Sequence, residues 1–84
     1  MSENGYLDEA RETLSALLED SGIPKSVRGK IKHAFDSLND KSKEVKVRVN
    51  QALQDLDEVA EDPNTPSIAR TQVWSIVSGL ESKA

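Results

Sequence analysis

The chain has 84 residues, a formal net charge of −4 and no cysteine. That length suits one domain with a modest core and leaves no room for a deep catalytic cavity. The lack of thiols excludes disulfides and thiolate-bound metals and fits a reducing compartment, while the acidic balance argues against general affinity for nucleic acid or acidic membranes.

Four stretches repeat apolar residues at helical spacing. The first runs from about Tyr6 to Asp20, with Leu7, Ala10, Leu14, Leu17 and Leu18 on one stripe and Asp8, Glu9, Arg11 and Glu12 around it. Ser21-Gly22-Ile23-Pro24 is a stop-and-restart signal. The second helix runs from Pro24 to Asn39, with Val27, Ile31, Ala34, Phe35 and Leu38 sharing a face. Asn39-Asp40-Lys41-Ser42 reads as a loop, with Ser42 the expected cap of the third helix. That helix runs from Lys43 to Glu61 and places Val45, Val49, Ala52, Leu53, Leu56, Val59 and Ala60 within a core-facing stripe. Asp62-Pro63-Asn64-Thr65 breaks it. The fourth helix starts at Pro66, with Thr65 the expected cap, and ends near Glu81. Its stripe is read as Ile68, Ala69, Val73, Ile76, Val77 and Leu80. Strand patterns are absent, and loops this short make successive helices antiparallel.

The chain also matches itself at an offset of 42 residues. Asp20 falls on Asp62, Pro24 on Pro66 and Arg28 on Arg70. Leu14 falls on Leu56, Ile31 on Val73 and Leu38 on Leu80. Two hairpins, at about 1–42 and 43–84, therefore share one pattern. The period lies in the range of helical-pair solenoids, and Glu44-Val45-Lys46-Val47-Arg48 locally resembles a HEAT-type repeat. Two units fall short of the three or more that a solenoid stacks. The expected fold is all-α: one four-helix antiparallel up-and-down bundle over 1–84, made of two repeated hairpins facing each other.

The run Asp62-Pro63-Asn64-Thr65-Pro66-Ser67-Ile68-Ala69-Arg70-Thr71, followed by Trp74, is distinctive. With Glu19-Asp20-Ser21, Ile23-Pro24 and Val27-Arg28, it resembles a family of short archaeal proteins known only as uncharacterised. The resemblance covers nearly the whole chain. It implies a small helical bundle and carries no activity with it.

Candidate functional residues are few. Charge is uneven along the chain: 1–24 carry a net −5, 25–48 a net +5 and 49–84 a net −4. Within the basic segment Lys25, Arg28 and Lys32 fall along one helix flank and are candidate phosphate contacts. The structural alternative is a solvated face attracted to acidic neighbours. Trp74 lies about 130° from its helix's apolar stripe. It is read either as packing over the bundle edge or as an interface anchor, because exposed Trp is enriched in binding hot spots. Val47 lies opposite its own stripe and is the second candidate interface residue. Asp20 with Arg28, and Asp62 with Arg70, are expected to make matching structural contacts at the two interhelix corners.

His33 is the only histidine and falls on a polar side. It forms no metal constellation or triad, and the acids from Asp55 to Asp62 lack calcium-loop spacing. No catalytic residue, metal, cofactor or small-molecule substrate is expected. No stretch approaches the roughly 20 apolar residues of a membrane helix. The opening Met1-Ser2-Glu3-Asn4-Gly5 lacks the basic and apolar regions of a signal peptide. The cytoplasm is the expected location. The leading expectation is a non-catalytic protein-interaction module with a protein partner or a second copy of itself. The alternative is an RNA- or ribosome-associated factor using 25–48.

Overall fold

The computed structural model describes residues 5–82, so all but the last residue of the Met1–Gly5 stretch read above lies outside it. Four α-helices follow one another: α1 (Gly5–Leu18), α2 (Lys25–Asn39), α3 (Val45–Glu61) and α4 (Ser67–Glu81). There is no strand among the described residues. Each helix packs on its chain neighbours, α1 closes against α4, and the diagonal pairs do not pack. This is the four-helix up-and-down arrangement expected from the sequence. The α2–α3 seam is the most extensive and the α1–α4 seam the least.

The core follows the apolar stripes. Leu7 and Leu14 from α1, Val27, Ile31 and Leu38 from α2, Leu56 and Val59 from α3, and Val73 and Leu80 from α4 are fully buried in one cluster. Side chains spaced three and four apart share a helix face, so four amphipathic helices bury four stripes against one another. Leu18, Phe35, Val45 and Leu53 sit half-buried at its margin. Two residues depart from the stripe reading. Ile68 is 77% exposed, because Ala69 takes the inward position in the first turn of α4. Ile23, read only as part of a loop signal, is 1% exposed and plugs the α1–α2 end of the core.

All three interhelix loops are built alike. An aspartate leaves each helix: Asp20, Asp40 and Asp62. Its carboxylate accepts the N–H two residues on, from Gly22 at 2.8 Å, Ser42 at 3.1 Å and Asn64 at 2.8 Å. Its carbonyl accepts the N–H three residues on, from Ile23, Lys43 and Thr65. This is the turn that Asp forms most readily, because its short side chain mimics a backbone acceptor. Four residues after the aspartate stands an extended residue, Pro24, Glu44 or Pro66, with ψ of 148°, 152° and 148°. Its carbonyl accepts the first helical N–H of Arg28, Arg48 and Arg70 respectively. The same turn recurs at the central loop, 20 residues after Asp20, which the offset of 42 does not reveal.

Neither Ser42 nor Thr65 caps a helix start. The Ser42 hydroxyl donates to the Asp40 carboxylate at 2.5 Å. With the Ser42 N–H, it holds the Asp40 carboxyl below the usual aspartate range. Thr65 is buried and its hydroxyl donates back to the Val59 carbonyl at 2.7 Å, closing the end of α3.

Candidate functional surfaces

The two corner arginines are not equivalent. Arg70 donates from Nε to the Ala60 carbonyl and from Nη2 to the Asp62 carbonyl, both at 2.9 Å. It satisfies backbone acceptors that the end of α3 leaves open. Arg28 Nε is buried without a hydrogen-bond partner. The preceding helices also end differently. α1 ends at Leu18, where the Glu19 and Asp20 N–H groups donate to the Ala16 and Leu17 carbonyls. α3 runs one position further in the repeat, to Glu61. Neither arginine pairs with the carboxylate of its corner aspartate.

The α2–α3 seam carries the cross-helix charge pairs. Lys30 reaches Glu58 at 3.8 Å and Asp62 at 3.9 Å. His33 Nδ1 lies 2.5 Å from Asp55 Oδ2. That hydrogen bond, reinforced by the Asp55 charge, raises the His33 pKa above its usual value of 6.5. The pair borders a groove of about 330 Å³ lined by Asp36, Asp40, Lys43, Gln51 and Gln54. Among the described residues, no group of three or more His, Asp or Glu side chains is placed to hold a metal ion.

The phosphate-contact candidates share a flank of α2, as their spacing requires. Lys32 is committed to Asp36, with Nζ 3.1 Å from Oδ1. Arg28 holds its Nε inside the corner. Lys25 is exposed and makes no ion pair among the described residues. The flank therefore presents less free positive charge than its sequence suggests.

The α1–α4 seam is different. Tyr6, Glu9, Ala10 and Thr13 from α1 face Gln72, Ser75, Ile76, Gly79 and Leu80 from α4 across a second groove of about 330 Å³. No ion pair bridges it among the described residues. The face of α4 beside it is also unlike any other. From Ser67 to Gly79, its exposed residues are serines, Thr71, Gln72, Gly79, Ile68 and Trp74. None is charged, in a chain that is 31% charged. Arg70, the only charge in that span, is turned to the end of α3. Trp74 is 48% exposed and stands at the middle of α4. Val47 is 41% exposed at the start of α3, on the side away from the core. The two candidate interface residues thus stand on different helices, Val47 at the start of α3 and Trp74 at the middle of α4. Ile68, the most exposed large apolar residue, was hidden by its placement on the apolar stripe; its angle on the helix wheel is the signal that finds it.

No helix of the described residues is long and apolar enough to cross a membrane. The sequence pattern of an uncharacterised protein family, UPF0147, matches residues 1–82. A UPF0147 protein of Methanothermobacter thermautotrophicus is 35% identical over 79 residues, covering 94% of this chain and 78% of its own. One from Methanocaldococcus jannaschii is 38% identical over 68 residues, covering 81% and 73%. Two crystal structures share the fold. The unknown-function protein MMP1188 superposes with a TM-score of 0.90 at 37% identity, covering 96% of this chain and 92% of its own. A UPF0147 protein from Thermoplasma acidophilum also gives 0.90, at 30% identity, covering 98% and 96%. With the family pattern spanning nearly the whole length and the same four-helix fold in its relatives, this chain belongs to the UPF0147 family.

Proposed function

We propose that the protein is a non-catalytic interaction module whose contact face is the outer side of α4. The observation that carries this reading is the charge-free exposed surface from Ser67 to Gly79, with Ile68 77% and Trp74 48% exposed. Interface cores are depleted in charge and enriched in aromatic residues relative to other surface. Scattered apolar residues need no explanation by themselves. A helix whose exposed positions from Ser67 to Gly79 carry no charge, with two large apolar residues among them, does. The other three helices turn charge outward: Asp8, Glu9 and Glu12 on α1, Lys25, Lys32 and Asp36 on α2, and Lys46, Asp57 and Glu58 on α3. The RNA-associated alternative draws its support from Lys25 and the net positive charge of 25–48. It is the weaker reading, because Lys32 is paired and Arg28 is partly withdrawn.

The test is recovery of the tagged full chain from its own cells after nuclease treatment. Wild type is compared with an Ile68→Glu/Trp74→Glu variant shown to be folded by its helical circular dichroism. Proteins retained by wild type and lost by the variant support the α4 face. An identical set from both rules it out. Loss of everything on nuclease treatment returns the case to Lys25, Arg28 and Lys32.

A further inference from the structure

The groove between α1 and α4 has two unlike walls. Its floor is apolar, with Ala10, Ile76 and Leu80 buried beneath it. On the α4 side Gln72, Ser75 and Gly79 line it. Ile68 extends that wall, since positions spaced four, three and four apart fall within about 60° on a helix. All four residues are exposed and none is charged. From Ile68 to Gly79 is eleven positions, or about 16 Å of wall.

The α1 side is acidic. Glu9 lines the groove, and Glu12 and Glu19 follow along the same outer flank, within about 80° of it. The three carboxylates are exposed and make no ion pair among the described residues. No described cation of α1 or α4 is free to answer them. Arg11 is paired with Asp8, and Arg70 is bonded to the end of α3.

We propose, on the reading of α4 as the contact face, that this groove takes a lysine- or arginine-bearing amphipathic helix of another protein. Its apolar stripe lies along Ile68, Ser75 and Gly79 and over the floor, and its basic edge faces Glu9, Glu12 and Glu19. The walls are helices whose backbone groups are already paired, so an extended segment finds no ladder partner there. A helix brings its own backbone bonds. Three turns of it span the 68–79 wall. Ser75 and Gly79 let its axis approach toward the short end of the usual helix–helix separation of about 8–10 Å.

Charge selects this occupant. A second copy brings the same net −4, and a nucleic acid brings phosphates to a wall of carboxylates. A basic helix relieves the repulsion among the three acids and is steered by it. Its charged edge stays at the solvent rim, so salt weakens the contact in part while the apolar stripe holds. Trp74 stands about 130° from the Ile68–Gly79 wall and takes no part.

The probe is a synthetic amphipathic peptide of about 18 residues, long enough to be helical when docked. It carries leucines on one face and lysines along the edges; a twin has every lysine replaced by glutamate. Amide NMR shifts of the full chain locate the contact, and the anisotropy of labelled peptide gives its affinity. Shifts are expected at Tyr6, Thr13, Gln72 and Gly79, with the lysine peptide bound at least tenfold tighter than its twin. Gly79→Gln puts a side chain into open space beside the groove and is the better helix former, so it tests the wall without unfolding the chain. That variant and Glu9→Gln/Glu12→Gln/Glu19→Gln should each weaken binding about tenfold. Trp74→Ala and Asp57→Gln/Glu61→Gln, the latter removing exposed acids of α3, should leave it unchanged. No binding up to about 1 mM, shifts elsewhere, an equal affinity for the glutamate twin or an equal loss on neutralising α3 overturns the proposal. If it is overturned while cellular proteins are still lost on Ile68→Glu/Trp74→Glu, the α4 face stands and the basic occupant falls. A peptide seated in the groove with an unchanged cellular set does the reverse: the groove keeps its ligand class and α4 loses its place as the cellular contact face.

Discussion

Two grooves of equal size, about 330 Å³ each, run along the α2–α3 and α1–α4 seams. The first is crossed by charge. Lys30 spans to Glu58 and Asp62, and His33 to Asp55. The second is lined by a half-buried tyrosine, Glu9, Gln72 and mostly small residues, and no salt bridge spans it among the described residues. Both seams have the same apolar stripes beneath them, so the core does not explain the contrast. The difference lies in the flanking positions: α2 and α3 fill theirs with long charged side chains, while α4 has serine, threonine and glycine. A seam flanked by long side chains is covered by their stems even where the charges stay wet. Small residues leave the backbone of α4 open to approach. The lesson is that a bundle can be closed at its core while one seam remains available.

The sharpest way to break this comparison is to truncate the core under each seam. Leu56→Ala, at a fully buried position, should lose about 2–5 kcal/mol in urea unfolding. Ile76→Ala borders the open groove, where truncation widens an existing opening more than it creates a void. It should lose about 2 kcal/mol, the low end of the range. Equal losses would mean that the α1–α4 seam is as tightly closed as its opposite.

Next in size is the anchoring of α4. Arg70→Met removes two charge-assisted bonds to the α3 end and should cost about 1.5–3 kcal/mol. Arg28→Met should cost less, since its Nε makes no bond. A matching loss at both corners would restore the symmetry that the repeat suggests.

Gly79→Ala is expected to stabilise the monomer by about 0.8–1 kcal/mol, through helix propensity alone, because the added methyl meets open space. Destabilisation would show that the groove is filled.

The smallest effect is the pH dependence of the charged seam. The folded His33 pKa lies above 6.5, chiefly through its hydrogen bond to Asp55. A raised pKa means that the folded chain binds the proton more tightly than the unfolded one. The contribution is therefore complete below pH 6.5 and is lost as pH rises through the folded value. His33 is exposed, so the change is slight. An NMR titration of His33, with Asp55→Asn returning it towards 6.5, measures it directly. A His33 pKa that Asp55→Asn leaves in place would separate the seam from its proposed cause.

Much of the fold was legible because helical periodicity is a local property. The four stripes, the Gly–Pro and Asp–Pro breaks and the offset of 42 were all present in the order of residues. Boundaries shifted by one or two residues where the Asp turns, rather than Ser42 or Thr65, organised the loops. Ile68 was misplaced because an apolar residue next to a stripe was counted into it. Ile23 was missed because a loop position shows no periodicity. Trp74 and Val47 could be identified as off-stripe residues, and both are partly exposed.

The sequence by itself determined the helices, their antiparallel order and their inward sides, because each depends on residues within a few turns of one another. Only the tertiary structure decided which seam is closed by charge, which corner arginine finds carbonyls and which helix face is left without charge beside a groove. Those depend on side chains from helices distant in the chain meeting at a common height, and no local spacing encodes that meeting.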